Sequence, residues 1–342
     1  MEQKVIVLGA GVIGLSSAVC IKQAFPHVDV EIVAEKFTPH TLSDGSGGFW
    51  EPYALGKTDP GLIRDMSQET HTYLKRLAYS AEAGEAGANA LSGYSLYTSV
   101  VKTLEPFHDV VDGYRMLTPE EVMMFPQAQS GYFHTTLQLD VATYLPWLTK
   151  KFKSMGGKLR CAKVLSLDEF RGQCSVVVNC CGIGAKELLN DDDIIPVKGQ
   201  VMRVRAPWLK HFYILKPAEG FDLAYILPGA KNVVIGGTAE KGNWSTEPKP
   251  DVADKIWKAA TDFLPMLKKA EIIRSWADLR PVRSRLRLER EEISSSGNLL
   301  KVVHNYGHGG SGVTLHWGCA LRATEMVRQE LLNSGSCAKA KL

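Results

Sequence analysis

The chain lacks the features that mark several large classes of protein. Its seven cysteines are an odd number without the dense spacing of a secreted disulfide scaffold, and no CxxC pair predicts a metal site. We therefore expect a reducing compartment and no bound metal. No apolar run approaches the roughly 20 residues that a membrane helix needs. The apolar start, VIVLGAGVIGL, is interrupted by glycines and lacks a basic leader, so we expect neither a membrane span nor a signal peptide.

The chain also has little excess charge. Its net charge is +3 over 342 residues, and it has no internal repeat or low-complexity linker. Nucleic-acid binding needs many clustered cations, so we do not expect a nucleic-acid partner. The arginine-rich stretch SWADLRPVRSRLRLERE at 275–291 therefore needs a local explanation. It is compatible with a solvated strand or with a clamp on an anionic substrate.

The most informative segment is at the start of the chain. A β-branched run, KVIVL, leads into a glycine turn and then a helical stretch, LSSAVCIKQAF. Gly9 permits the tight turn, Gly11 lets a pyrophosphate approach the backbone, and Gly14 lets the helix pack closely on the strand. This context is typical of a dinucleotide site, and the motif alone leaves NAD and FAD open. The turn consists of Gly9, Ala10, Gly11, Val12, Ile13 and Gly14.

A second predicted strand, VDVEIVAE, ends in an acid. The carboxylate of Glu35 can accept hydrogen bonds from the ribose hydroxyls of an adenosine, and it disfavours a 2′-phosphate. We include Lys36, the next residue, in the predicted cofactor site.

The rest of the chain alternates between two kinds of pattern. Thr118-Pro119-Glu120-Glu121 predicts a capped short helix, and Asp140 is expected to cap a helix that Gly156-Gly157 end. LRCAKVL and CSVVVNC predict buried strands, whereas QVMRVRAPW, AYILPG and NVVIGGT predict antiparallel strands. The fold class is therefore α/β, with a Rossmann-like dinucleotide domain and an interleaved mixed-sheet α+β domain. The predicted boundaries are 1–55, 141–196 and 288–342 for the first domain, and 56–140 and 197–287 for the second.

Several longer motifs together resemble one enzyme family. VIVLGAGVIGLSSAVCI, FTPHTLSD, APWLKHF, YILPG, IGGT, LRPVRSRLRLERE and HNYGHGGSGVTLHWGCA are similar to segments of the D-amino-acid oxidase and D-aspartate oxidase family, and more so to the D-amino-acid oxidases. The resemblance implies bound FAD and oxidative deamination of a D-amino acid, with hydride transfer from the substrate Cα to flavin N5. The products would be a 2-oxo acid, ammonia and, after reaction with dioxygen, hydrogen peroxide. No catalytic base is needed if the amine arrives neutral.

The resemblance also assigns residues to the substrate. Arg280 would hold the substrate α-carboxylate with its planar fork. Tyr225 would hold the same carboxylate through its hydroxyl, and Gly310 would present its carbonyl to the amine. We interpret Arg283, Arg285 and Arg287, at period two after Pro281, as a solvated or ion-paired face.

Flavin contacts are expected around a second glycine turn. HGGSGVTLHWG opens a long helix, so its backbone N–H groups and dipole can stabilise negative charge near flavin N1. Thr314 fits there as a hydroxyl or backbone donor. Extra glycine in the 45–48 loop predicts flexibility near the flavin ring. The resemblance gives the cofactor positions Thr41, Leu42, Ser43, Gly47, Gly48, Val164, Gly182, Gly309, Gly312, Val313 and Thr314.

The substrate side chain is expected to meet Phe49, Glu51, Lys216 and Phe221. Ala239 stands where many D-aspartate oxidases have a side-chain-binding arginine. Lys216 is interpreted as a solvated lid lysine or as a partial replacement for that arginine. Glu51 either selects the substrate charge or pairs with an arginine such as Arg285. We expect neutral or basic D-amino acids to be favoured. The alternatives are a D-aspartate oxidase and a dinucleotide-binding protein without turnover.

The last residues, Ala340-Lys341-Leu342, are a one-residue variant of the Ser-Lys-Leu peroxisomal address. Chemistry that produces peroxide favours that interpretation, with a peroxisomal import receptor as partner and the cytoplasm as the alternative location. The sequence leaves open whether the protein forms a homodimer.

Overall fold

The fold is seen in a computed structural model that describes residues 3–53, 55–217, 224–295 and 298–339. Its strands in chain order are β1 Lys4–Leu8, β2 Asp29–Ala34, β3 Ala88–Tyr97, β4 Asp112–Met116, β5 Ser130–Leu139, β6 Lys158–Cys161, β7 Val176–Asn179, β8 Ile195–Arg205, β9 Phe212–Lys216, β10 Ala224–Pro228, β11 Val233–Gly236, β12 Glu240–Lys241, β13 Glu271–Ser295 and β14 Asn298–His308. Its α-helices are α1 Val12–Ala24, α2 Pro60–Ala78, α3 Ala83–Ala86, α4 Pro119–Met123, α5 Val141–Ser154, α6 Ala185–Leu189, α7 Pro250–Phe263 and α8 Gly312–Lys339.

All these strands belong to one continuous sheet. Its order is β4-β5-β3-β9-β10-β11-β8-β13-β14-β7-β1-β2-β6, with β12 paired to β8. From β14 to β6 neighbouring strands are parallel, whereas β10, β11, β8 and β13 pair in antiparallel fashion. The long strand β13 pairs with β8 through its first half and with β14 through its second half. It therefore joins the parallel part of the sheet to the antiparallel part.

The parallel strands are apolar along their whole length because both faces are covered. Val5 and Val7 pack with helices α1, α5 and α8, whereas Ile6 and Leu8 face a separate cluster that contains Phe170. Alternate residues of a strand point to opposite faces, so a strand buried on both sides has no polar side to show. This arrangement confirms the predicted α/β class. The proposed domain boundaries stay a prediction.

Several local predictions can be compared with the structure. Thr118 and Glu121 form the expected capping box at α4, and the antiparallel strands after residue 200 are present. Asp140 does stand at the start of α5, but its side chain makes no capping hydrogen bond, so that part of the prediction is wrong. The strand predicted over LRCAKVL is shorter than expected and ends at Cys161, the last residue that pairs with β2. Within the described ranges, no helix combines the length and the apolar character needed to cross a membrane.

Candidate active site

A deep cleft opens where β13, β10, the loop after residue 41 and the start of α8 come together. It contains about 1290 Å³ of empty space, part of it open to solvent. Thirteen of the residues predicted to contact cofactor or substrate line it: Val12, Leu42, Ser43, Gly47, Gly48, Phe49, Glu51, Tyr225, Arg280, Gly309, Gly310, Gly312 and Val313. Sequence positions far apart are thus brought to one site.

The cleft reaches the N-terminus of α1, where the structure fits a dinucleotide phosphate. Gly9 has φ +99°, and a Cβ there would lie 2.5 Å from the carbonyl oxygen of Cys180. A Cβ on Gly14 would lie 1.9 Å from the carbonyl oxygen of Gly9. Helix α1 has no side-chain cap at Gly11, so the N–H groups of its first turn, apart from that of Val12, are offered to a ligand. Both close approaches require glycine, as the motif predicted.

Ser43 links this helix end to the neighbouring loop. The Val12 N–H donates a hydrogen bond to Ser43 Oγ at 3.1 Å, and both residues line the cleft. Leu42 begins a single 3₁₀ turn, Leu42–Gly45, that carries Ser43 into this position. Thr41, just before it, donates its hydroxyl to Asp44 at 2.7 Å, so this hydroxyl serves the turn itself.

Among the arginines of 275–291, Arg280 is the one that lines the cleft. Arg283 pairs with Asp191 at 3.0 Å, and Arg287 pairs with Glu289 at 2.7 Å. Arg290 contacts Glu330 at 3.2 Å, whereas Arg285 is exposed. No described carboxylate forms an ion pair with Arg280. Its charge is therefore available to an anionic ligand.

The guanidinium of Arg280 is held by backbone. Its Nη1 donates to the Thr238 carbonyl at 2.8 Å. A Cβ on Gly199 would lie 2.5 Å from its Cζ, so the group rests against bare main chain of β8. Tyr225 also lines the cleft, and its ring packs on the backbone of Gly236. A planar fork fixed in this way is suited to bidentate binding of a carboxylate.

Gly310 lies between two of the side chains that form the cleft. A Cβ at this position would lie 2.7 Å from the Tyr53 ring and 3.9 Å from Cδ of Arg280. The Tyr53 backbone N–H donates to Ser311 Oγ at 2.7 Å, which ties the 49–53 segment to the start of α8. The space beside Gly310 is thus kept free of a side chain and close to Arg280.

Helix α8 begins at the cleft with backbone donors in the expected place, whereas the hydroxyl of Thr314 has a partner within the protein. The first helical hydrogen bond runs from Leu315 N–H to the Ser311 carbonyl, so the N–H groups of Gly312 and Val313 precede it. Thr314 is buried, with 2% of its surface exposed. Its hydroxyl donates a hydrogen bond to the Glu51 carbonyl at 2.9 Å. That hydroxyl holds the 49–53 segment in this structure, so of the two predicted donors the backbone N–H of Thr314 is the one left for the flavin, and this role stays a prediction.

The glycine loop at 45–48 is packed closely in this structure, and the predicted flexibility of the loop stays a prediction. Gly48 has φ +66°, and a Cβ there would lie 1.8 Å from the Leu139 carbonyl oxygen. The Leu139 N–H donates to the Gly48 carbonyl at 2.8 Å, and Phe49 forms a β-bridge with Gln138. Glycine is present here because the loop lies against β5.

Lys216 differs from both predictions made for it. It is the last residue of β9, its side chain is 15% exposed, and its Nζ lies 2.8 Å from Glu51 Oε1. It is therefore neither a solvated lysine nor a free cation for a substrate carboxylate. Glu51 lines the cleft but pairs with Lys216 instead of Arg285. The pairing was not predicted because the two residues are 165 positions apart.

The other predicted residues lie around the cleft or outside it. Glu35 and Lys36 are exposed just after β2. Val164 packs with the cluster on the far face of the sheet, and Gly182, with φ +56°, faces the Pro281 ring. Phe221 lies in 218–223, outside the described residues. Ala10 is buried in the core beneath the first glycine turn, and Ile13 packs against that core.

Sequence reasoning missed residues that share a strand face with Arg280. Trp276 and Asp278 line the cleft at alternate positions before it, as the two-residue period of a strand requires. Burial raises the pKa of Asp278, against the opposing effects of a hydrogen bond from Leu279 N–H and the charge of Lys36. Extending the period backwards from Arg280 would have found both residues. Tyr53, Gly199 and Thr238 carry no such signal.

Comparison with known proteins gives consistent similarities. A family model described as DAO, FAD dependent oxidoreductase, matches residues 4–326. Human D-aspartate oxidase is 40% identical over 327 residues, which cover 95% of both chains. A D-amino acid oxidase of Dugesia ryukyuensis is 35% identical, over 96% of this chain and 99% of that relative. The solved glycine oxidase of Bacillus cereus has a TM-score of 0.76 at 19% identity over 96% of both chains, which shows a shared fold.

Proposed function

We propose that this chain, which belongs to the DAO family of FAD-dependent oxidoreductases, oxidises D-amino acids to 2-oxo acids, ammonia and hydrogen peroxide. The observation that carries the proposal is the place of Arg280. Among the described residues that line the cleft it is the one cation, and no described carboxylate pairs with it. The cleft also reaches the N-terminus of α1, where a dinucleotide phosphate fits.

The protein's task in such a reaction is to bind and orient the substrate. FAD, when bound, supplies the acceptor for the substrate hydride. Arg280 and Tyr225 would hold the α-carboxylate, while the Gly310 carbonyl accepts a hydrogen bond from the amine. The N–H groups of Gly312 and Val313 would stabilise negative charge that develops on the ring. Orientation of this kind accounts for much of the rate of a bimolecular reaction.

The charges of the cleft favour neutral or basic substrates over acidic ones. An acidic D-amino acid brings two carboxylates, and the lining residues that the structure describes contain no second cation. Ala239 supplies none, and Lys216 is already paired with Glu51. The stretch 218–223, AEGFDL, contains neither lysine nor arginine. A second carboxylate would therefore be desolvated without a partner.

D-Aspartate oxidation is the second candidate, and the 40% identity to human D-aspartate oxidase favours it. A panel of D- and L-amino acids, read out as peroxide formation, separates the candidates. We expect turnover of neutral and basic D-amino acids, weak turnover of D-aspartate and none of the L-enantiomers. Turnover confined to D-aspartate and D-glutamate would establish the second candidate. A chain without turnover on any D-amino acid would contradict both.

Location is a separate proposal. Ala340-Lys341-Leu342 lies outside the described residues. Two points support a peroxisomal location: the similarity of these residues to the Ser-Lys-Leu address and the production of peroxide. We propose import into peroxisomes through the receptor that reads this address, with the cytoplasm as the alternative location.

A further inference from the structure

A buried cluster of charges lies behind one wall of the cleft. Its centre is Lys216, whose Nζ lies 2.8 Å from Glu51 Oε1 and 3.6 Å from Glu105 Oε1. The same Nζ lies 3.3 Å from the Tyr132 hydroxyl, and the Tyr97 hydroxyl donates to Glu105. Of the two acids, Glu51 lines the cleft and Glu105 does not.

The cluster carries a net negative charge. Its two carboxylates and one ammonium leave one unit of negative charge uncompensated. Burial acts to lower the pKa of Lys216, but Glu51, followed by Tyr132 and Glu105, outweighs it, and the pKa lies well above its usual value. Burial, followed by the charge of Lys216, lowers the pKa of nearby His134 to about 3. This histidine is therefore neutral at physiological pH and adds no positive charge.

Lys216 forms a hydrogen bond with only one of the two carboxylate oxygens of Glu51, Oε1. Glu51 Oε2 is buried and has no hydrogen-bond partner among the described residues. A buried acceptor left without a donor is destabilising, and more so when it is charged. A positive group in the cleft would be attracted by the uncompensated charge of this wall, without a direct hydrogen bond to the buried oxygen.

The Glu51 backbone is fixed from both sides. Its carbonyl accepts the hydroxyl hydrogen bond of Thr314. The neighbouring Trp50 donates its backbone N–H to the Leu137 carbonyl at 3.0 Å, and its own carbonyl accepts from Thr136 Oγ1 at 2.8 Å. The carboxylate is thus preorganised and does not have to be ordered by the ligand.

We propose that Glu51 is a specificity-determining residue that selects D-amino acids whose side chains end in a cation. Lys216 and Glu105 are positioning residues for it: Lys216 orients Glu51, and Glu105 offsets the charge of Lys216 so that the wall stays negative. This inference rests on the proposed oxidase function, with Arg280 holding the α-carboxylate at the other end of the substrate. It narrows neutral or basic substrates to basic ones, such as D-arginine and D-ornithine.

Pairs of substrates with nearly equal shape test the charge preference in the native enzyme. We expect kcat/KM for D-arginine to exceed that for its neutral analogue D-citrulline by at least about tenfold, equivalent to about 1.4 kcal/mol. D-Aspartate should fall below D-asparagine by a similar factor. A D-arginine to D-citrulline ratio within about twofold would overturn the proposal.

Variants assign the preference to the cluster. Glu51→Gln keeps the shape and removes the charge, so the D-arginine to D-citrulline ratio should fall toward one. The D-aspartate to D-arginine ratio should rise by about tenfold or more. Glu105→Gln removes a charge outside the cleft and should lower the first ratio in the same direction. General damage to the fold would reduce turnover of both analogues alike and leave their ratio unchanged.

Glu271→Gln is the matched control, because Glu271 pairs with Arg205 on the surface, where both side chains are about two thirds exposed. It should leave the ratio as in the native enzyme. An unchanged ratio in Glu51→Gln would overturn the role of Glu51, and an unchanged ratio in Glu105→Gln would overturn that of Glu105. Should Glu51→Gln fail to fold, the Glu105→Gln variant and the substrate pairs measured on the native enzyme still test the charge preference. Turnover of D-alanine in all proteins separates failure of this inference from failure of the oxidase function.

Discussion

At the scale of single residues, Arg280 differs from the neighbouring arginines in what its guanidinium contacts. Arg283 and Arg287 are neutralised by carboxylates at 3.0 and 2.7 Å. Arg280 contacts a backbone carbonyl and lines the cleft. A half-buried guanidinium without a carboxylate keeps its charge for a ligand. Its planar fork can then form two parallel hydrogen bonds with a substrate carboxylate.

Replacing Arg280 with alanine should therefore abolish most of the turnover. We expect kcat/KM to fall by more than about tenfold, a loss above about 1.4 kcal/mol, because the α-carboxylate loses its clamp. Arg280→Lys should also be poor, since a point charge does not reproduce the fork. FAD binding, followed by flavin absorbance, should survive in both variants.

The matched control for this prediction is Arg285→Ala, which removes an exposed arginine of the same strand. Steady-state rates of peroxide formation should be close to those of the native enzyme. An Arg280→Ala variant that retained more than about a tenth of native kcat/KM would show that the carboxylate is bound elsewhere.

The role of a residue could be predicted where the residue belongs to a recognisable motif. It could not be predicted where the role depends on a contact with a residue distant in sequence. Arg280, Tyr225 and Gly310 were placed by motifs, and all three line the cleft. Lys216 was not, because its burial depends on Glu51, which is distant in sequence. No local pattern reports an ion pair of that kind.

At the scale of elements, the cofactor end of the cleft depends on the packing of α1 against β1. A glycine turn brings the helix so close that a Cβ at residue 14 would lie 1.9 Å from the Gly9 carbonyl oxygen. The helix axis, and with it the free N–H groups at its start, is therefore set by the absence of a side chain. Such a turn leaves a pattern in the sequence, which is why this element was predicted from the glycines together with the strand before them and the helix after them.

Gly14→Ala should displace α1 and weaken FAD binding. We expect the dissociation constant for FAD, measured by fluorescence titration of the apoprotein, to rise by at least about tenfold, or about 1.4 kcal/mol. Gly84→Ala is the control, because nothing lies within 4 Å of a Cβ there and the residue is in helix α3. That change should leave FAD affinity as it is and stabilise the fold by up to about 1 kcal/mol. Equal FAD affinities for the two variants would contradict the role of Gly14.

The element that carries Arg280 was predicted in part. The strand pattern around the arginines was visible, but the length of β13 and its pairing with both β8 and β14 were not. Its two partners belong to different parts of the sheet, and strand pairing over such sequence distances is a tertiary property. The face shared by Trp276, Asp278 and Arg280 follows once the strand is known.

At the scale of the whole molecule, one sheet joins a parallel, doubly covered part to an antiparallel part. The phosphate end of the cleft lies at the first part and the substrate end at the second, with β13 between them. The proposed oxidation releases hydrogen peroxide. The compartment that holds the protein is therefore the compartment that receives the peroxide.

Deleting residues 340–342 should disperse the protein into the cytosol without loss of activity. The change removes the proposed receptor-read address. Fluorescence microscopy of a fusion that leaves the C-terminus free measures the distribution, and peroxide formation measures the activity. Unchanged punctate fluorescence after the deletion would remove the address from the account.

The measurement that tests the central claim most directly is anaerobic mixing of the FAD-loaded protein with D-alanine and, separately, with L-alanine. In the absence of dioxygen, electrons taken from the substrate stay on the protein and bleach the flavin absorbance. We predict complete bleaching by D-alanine and none by L-alanine, with recovery and one equivalent of peroxide when air is admitted. Flavin absorbance that persists with D-alanine, or bleaches equally with both enantiomers, would contradict the account.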